Sequence, residues 1–277
     1  MSEFDLSSSS SATPKAKMIL AAVIAVALLF GWVAVRRQLG GMIAEMTPST
    51  DPNAPAAAEL ARSMAPSDPI TLWLKANLER NIFSPERTSA AIKLYEDTVR
   101  LSPNDFRWWI ELGRAYEQAE MNDRAEASLR RAIALAPTYT FPRWQFGNFL
   151  LRQGRTDEAF AEFKAATENN QTYREQVFSL AWEYFGKDPA KLEQVIADKP
   201  DVYASLALFY GARGQAADSL RIWNKLDDAA KAAHPQFVSV IAQGLYEQRH
   251  FPAALEFAKQ IGMDADAEPN AVTNGGF

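Results

Sequence analysis

Apolar residues fall into two regimes along this chain. Residues 18–35, MILAAVIAVALLFGWVAV, form an unbroken run of 18 without a charge. As a helix, at 1.5 Å per residue, that run reaches about 27 Å, close to the hydrocarbon thickness of a bilayer. Lys15 and Lys17 flank one end and Arg36 and Arg37 the other, while Trp32 lies near the second end, where interfacial aromatics gather. The run predicts a transmembrane helix at 18–35 behind a polar tail, 1–17. A cleaved signal peptide has a shorter apolar core, about 7–15 residues, so an uncleaved single-pass anchor is the preferred reading. Flanking charge is tied, and the short tail against the large remainder puts the folded mass outside the cytoplasm, on the periplasmic side. Residues 36–69 show no sustained apolar periodicity. Pro, Ala, Ser and Asp dominate 47–69, which reads as a flexible or partly extended linker. QLGGMIAEM, residues 38–46, fits a helix running a turn or two past Gly41. Ser67-Asp68-Pro69 marks a helix start, a polar cap before proline. From 70 to 262, apolar positions recur at helical spacing in pairs of short segments, without β-type alternation. Residues 263–277, MDADAEPNAVTNGGF, return to linker composition.

The paired segments repeat. Trp109, Leu112, Gly113 and Tyr116 stand at W-x2-L-G-x2-Y, followed by Ala125, Leu129, Ala132 and Pro137. One period of 34 residues later come Phe146, Gly147, Leu150, Ala159, Phe163 and Ala166, with Trp144 one place late and Gln171 in place of the proline. One period earlier lie Leu78, Ile82, Ala91, Tyr95 and Pro103. Val177, Leu180, Ala181 and Tyr184 begin another unit, whose second helix starts at Asp188-Pro189 and is short. After a register reset come Tyr203, Leu206, Ala207, Tyr210, Ser219, Trp223 and Leu226, then Val238, Ile241, Ala242, Leu245, Ala254, Ala258 and Ile261.

This pattern resembles the tetratricopeptide-repeat family, of the bacterial membrane-anchored type. The resemblance covers roughly 72–262, strong in two repeats and degenerate in four. It implies an all-α fold: an N-terminal transmembrane helix followed by a solenoid of about six helix pairs with a concave face. Gly113, Gly147, Ala181 and Ala207 sit where the first helix of a pair must approach the second closely. Met121-Asn122-Asp123 and Arg155-Thr156-Asp157 read as the turns between paired helices.

Composition adds mostly exclusions. The chain is 48% hydrophobic and 23% charged, which is globular. With no cysteine there is no thiolate metal site, disulfide or cysteine nucleophile. His234 and His250 have no metal-ligand spacing, and His250 reads as a loop or cap residue. P-loop, nucleophile-elbow and H-E-x-x-H motifs are absent from the sequence. Glu158 and Glu162 read as a solvated face, and Arg130-Arg131 as ordinary charged surface. A net charge of −5 does not suit a nucleic-acid binder. The chain is expected to be no enzyme and to hold no metal or cofactor.

The resemblance points to a site. In such arrays the first helix of each pair lines the groove, at repeat positions that fall here on Arg107, Ile110, Arg114 and Glu117, then on Phe141, Trp144, Asn148 and Leu151. Flanking repeats would add Trp73, Arg80, Phe83, Phe178, Trp182 and Phe185, unless misregister makes some of these aromatics core. Arg and aromatics suit a binding hot spot. The carboxylate-clamp mode needs Lys and Asn at positions occupied by Ile110/Arg114 and Trp144/Asn148. Only Asn148 fits, so a chaperone-tail receptor is disfavoured. The expected function is a membrane-anchored scaffold gripping a protein or peptide partner, in cell-envelope assembly. Translocon quality control and surface-polysaccharide export are other settings the resemblance allows. The rival is a tether for a carbohydrate-handling protein: VTNGGF resembles the opening strand of galactose-binding-like jelly rolls, and carbohydrate would enter only through such a module further on.

Overall fold

The computed structural model describes residues 13–168 and 170–262, and among these every regular element is a helix. Most of the polar tail and the whole 263–277 segment, with its jelly-roll resemblance, lie outside the described residues. The chain divides into two compact units after Ser128.

The first unit opens with α1 (Pro14–Met46), an unbroken 33-residue helix. Its apolar stretch is long and apolar enough to cross a membrane and has no side buried against the protein. Beyond it the helix continues, and the expected flexible linker gives way to packed structure. α2 (Ala54–Met64) runs back along α1, burying Ala54, Ala58 and Ala61, with Ala65 just past its end. A core of Ala44, Ala58, Ala61 and Leu74 forms, with Ile43, Ile70, Trp73 and Leu78 around it. The physical reason is the alanine. An Ala/Pro/Ser stretch looks like tether because methyl groups carry little hydrophobic signal, yet alanine is the strongest helix former and permits close helix approach.

Two pairs follow. α3 (Pro69–Arg80) packs on α4 (Pro85–Leu101), α5 (Phe106–Gln118) packs on α4, and α6 (Asn122–Leu135), next in the chain, spans the boundary of the two units. Asp68 caps α3 at Ile70 N (3.1 Å), Ser84 caps α4 at Arg87 N (3.3 Å) and Asp105 caps α5 at Arg107 N (3.0 Å). Each cap satisfies an amide the helix leaves orphaned.

In the second unit α7 (Thr140–Arg152) packs on α8 (Thr156–Thr167). α9 (Arg174–Tyr184) then meets the short α10 (Pro189–Gln194), and α11 (Pro200–Ala212) meets α12 (Ala216–Trp223). A helical turn, α13 (Asp228–Ala232), precedes the last pair, α14 (Pro235–Glu247) and α15 (Phe251–Gln260). Among the described residues six consecutive helix pairs thus follow α2, as the repeats predict. The core of this unit is aromatic, with Phe146, Phe149, Phe163, Phe178, Phe209, Tyr210 and Trp223 all at or below 1% exposure.

The turn inside five of the six pairs is one recurring device. Amide to carbonyl bonds run Met121 to Tyr116, Arg155 to Leu150, Lys187 to Trp182, Gln215 to Tyr210 and His250 to Leu245, each spanning five residues. These are Schellman closures, which need a residue at positive φ. Gly154 (φ 74°) and Gly214 (φ 71°) supply it without strain, whereas Glu120 (φ 58°) and Arg249 (φ 62°) hold a Cβ there. Glu120→Gly should therefore stabilise the first unit, by roughly 0.5–1 kcal/mol. Thermal melts of the pair of proteins check this; a lower melting temperature for the variant would contradict it.

Candidate functional site

In α5, Arg107 reaches back to its own cap. Its Nε lies 3.0 Å from Asp105 Oδ1 and its Nη2 2.6 Å from Oδ2, with the guanidinium 5.1 Å above the Trp108 ring. These hydrogen bonds hold the Asp105 carboxyl below its ordinary range. Two turns on, Arg114 Nη1 donates to Glu111 Oε1 at 3.2 Å, and Glu111 Oε2 accepts from Arg80 Nη1 of α3 at 2.7 Å. Arg80 is nearly buried and also donates to Asn77 Oδ1 (3.0 Å). Arg107 and Arg114 remain exposed, with side chains 63% and 45% accessible. Together they form an ordered basic strip over an apolar layer that includes Trp108, itself 6.3 Å from Trp73. Glu117 is half-buried at the end of the strip.

Ile110 is different. It is 1% exposed and belongs to the core, not to a surface. Its neighbours Arg107 and Arg114 lie three and four residues away and stay out. The α5 helix is amphipathic enough that one position of the expected four is drawn inward.

In α7, Phe141 is 37% exposed and Leu151 half-buried. Trp144 is half-buried, stacked on Tyr173 with centroids 5.2 Å apart and planes 15° apart, and 5.2 Å from Phe163. The Asn148 amide donates to Trp144 O at 2.7 Å, so it is engaged on its own helix. Among the flanking aromatics, Phe178 (1%) and Trp182 (5%) are core and pack edge-on against Phe209, while Phe185 lies 4.9 Å from Phe160. Phe83 stands 90% exposed. The misregister alternative therefore holds for Phe178 and Trp182. The residues of α5 and of α7 belong to different units, and each set is a patch in its own right.

Three participants escaped the sequence reading. Glu111 bridges Arg80 and Arg114, and its signal was the i, i+3 spacing to Arg114. Tyr173 has only its place before α9 to mark it. Arg213 lies 3.6 Å over Phe209 and donates to Ser179 Oγ at 2.9 Å. Its own sequence neighbourhood gives no sign of that role.

Below the strip, the Tyr95 hydroxyl is buried with no hydrogen-bond partner among the described residues. Burial pushes its pKa well above the ordinary tyrosine value. A buried hydroxyl without a partner costs free energy. Tyr95→Phe is expected to be neutral or to stabilise by up to about 1 kcal/mol. Chemical denaturation reads this directly, and a loss of stability would reveal a bond that the hydroxyl does make.

No group of acidic or histidine residues among the described positions could hold a metal ion. What these patches can do chemically is bind: fixed guanidiniums accept carboxylates or aromatic faces, and the half-open aromatics of α7 accept apolar groups.

Residues 107–139 match the family model for the tetratricopeptide repeat. No curated protein matches the chain. Among solved structures, the chain is similar to a MamA RS-1 double mutant, at 19% identity and a TM-score of 0.40 over 49% of this chain and 74% of that one. It is also similar to YrrB, described as a TPR protein with an unusual peptide-binding site, at 15% identity and a TM-score of 0.35 over 76% and 93%. TTC0263, a thermophilic TPR protein of Thermus thermophilus, shows 19% identity and a TM-score of 0.39 over 77% and 99%. In the matched segment Leu112, Tyr116, Ala125, Leu129 and Ala132 are all buried, as the repeat requires. The matched segment thus carries one tetratricopeptide repeat, set among further helix pairs closed by the same turn.

Proposed function

We propose that the protein is a membrane-anchored interaction scaffold that captures a peptide segment or partner helix on the first helices of its repeats, and that it catalyses no reaction. Contact is assigned to Arg107, Arg114 and Glu117 on α5, and to Phe141, Trp144 and Leu151 on α7. Asn148 supports Trp144 from within the helix. The observation that carries this reading is the basic strip: Arg107 and Arg114 are exposed, yet each is held in place by a neighbouring carboxylate. Pre-ordered side chains lose less entropy on binding than free ones.

Helix α1 serves as the retained anchor in this reading. A signal sequence cut after residue 35 would sever a helix whose next three turns are packed into the first unit. The repeats lie on the extracytoplasmic side, in cell-envelope assembly. A C-terminal alkaline phosphatase fusion should then be active in cells; activity of a cytoplasmic reporter alone at that terminus would reverse the orientation.

The binding claim is tested by cross-linking from intact membranes and identifying the partner by mass spectrometry. Arg107→Glu/Arg114→Glu should reduce its capture at least about tenfold, the equivalent of roughly 1.4 kcal/mol. Exposed charges contribute little to folding, so stability should move by less than about 1 kcal/mol. Leu151→Ala should weaken capture too, with a smaller change in melting temperature than core truncations give. Undiminished capture by the double variant would place the binding surface elsewhere.

A further inference from the structure

The helix that crosses the membrane does not stop at the membrane. Residues 36–46 continue α1 for about 15 Å beyond the apolar stretch, at 1.5 Å per residue. There it acts as the first helix of an additional pair, α1 with α2, which packs on α3. The seam is tight. A Cβ on Gly40 would come within 2.8 Å of both Ala61 O and Ala65 Cβ, so the two backbones touch where glycine alone fits. Polar bonds close the same seam at the membrane end: Arg36 Nη2 donates to Ser63 O at 2.7 Å, and Arg37 Nε to Asp68 Oδ2 at 3.3 Å.

These two bonds also give the height of the α2–α3 turn. Because α2 runs back along α1, residues 65–68 return to the level of Gly40 and Gly41, about one helical turn past Arg36 and Arg37, whose side chains reach across to them. The turn between α1 and α2, residues 47–53, lies at the opposite end of the pair. The returning edge carries Arg36, Arg37 and Arg62 near two carboxylates: Asp68, which is paired to Arg37, and Glu59, one turn before Arg62, which is paired to Lys75.

We propose that this edge, formed by Arg36, Arg37 and Arg62 with the turn 65–68, rests on the headgroup layer and binds anionic phospholipid, so that the first unit is held at a fixed height on a stalk continuous with its own anchor. The proposal rests on the anchor reading above and adds the lipid contact and the rigid seating. Arginines at headgroup depth gain from anionic headgroups in whichever leaflet they face, an attraction that falls off within a Debye length, about 8 Å at physiological salt. A free tether would let the unit drift beyond that range. The Gly40 seam removes the hinge that such drift needs.

The chain has no native cysteine, so a single label reports one position. The full chain carrying a nitroxide at Ser67→Cys or at Thr50→Cys would be reconstituted in vesicles of phosphatidylcholine, alone or mixed with phosphatidylglycerol. A lipid-tethered nickel chelate then relaxes labels near the headgroups. In mixed vesicles the Ser67 label should relax severalfold faster than the Thr50 label, and Arg62→Glu should shrink that difference. Equal, slow relaxation at both positions in protein that floats with the vesicles would overturn the seating. A fast Ser67 signal unaffected by phosphatidylglycerol and by Arg62→Glu would overturn the anionic-lipid contact. Protein that fails to float with either vesicle would overturn the anchor reading itself, and this proposal with it.

Discussion

Gly147→Leu should destabilise the second unit by about 3 kcal/mol, the upper end of the usual cost of overpacking. Gly147 lies in α7 where a Cβ would stand 2.5 Å from Phe163 Cε1 and 2.7 Å from Cδ1. Real Cβ contacts do not come that close, and Phe163 cannot swing away, being 0% exposed and in ring contact with Trp144 and Phe160. Even Gly147→Ala should destabilise, although alanine is about 1 kcal/mol the better helix former in a helix interior. The informative partner is Gly154. It has open space around it, and only its positive φ resists a side chain. Gly154→Ala should cost about 1 kcal/mol. Urea denaturation separates the two mechanisms, because a smaller side chain at 163 should rescue Gly147→Ala and leave Gly154→Ala unchanged. If Phe163→Leu gives no rescue, the ring contact is not what keeps the position at glycine.

Arg174→Ala should cost about 2–4 kcal/mol, since it orphans several buried acceptors of a charged donor at once. The residue is 5% exposed at the start of α9. Its Nε donates to Thr167 O at 3.0 Å, its Nη2 to Glu168 O at 3.5 Å, and its Nη1 to Asp201 O at 3.0 Å and Ser205 Oγ at 3.2 Å. The first two carbonyls close the C-terminal end of α8, where the helix dipole is negative. The others belong to the first turns of α11. One guanidinium thus ties three helices, at the point where the repeat's terminal proline is replaced by Gln171. Burial pulls its pKa below the ordinary arginine value, offset in part by Asp201. Arg174→Lys should recover only part of the loss, because a single ammonium cannot span the same acceptors. A lysine variant as stable as the parent would mean the fork geometry is not needed.

The fold was largely legible before any coordinates. Trp109, Leu112, Gly113 and Tyr116 with Ala125, Leu129 and Ala132 repeat a pattern whose period belongs to one architecture, and the helix starts at Asp68 and Asp188 lie where a polar cap precedes proline. The candidate site was legible only in part. Position along a repeat says which face a residue is on, but not how deep that face lies once neighbours are packed. Ile110, Phe178 and Trp182 therefore read as surface and are core, while Arg107 and Arg114 read as surface and are. Glu111 and Tyr173 matter through partners that are distant in sequence or lack any repeat signature.

By itself, the sequence determined the long apolar helix, the helical period and the number of helix pairs, because these depend on local spacing and on side-chain character summed over many residues. Only the tertiary structure decided that residues 36–46 and 54–64 are packed helix rather than tether. Alanine and glycine carry almost no hydrophobic signal of their own, and what they permit, backbone approach at Gly40 and Ala61, exists only when two helices meet.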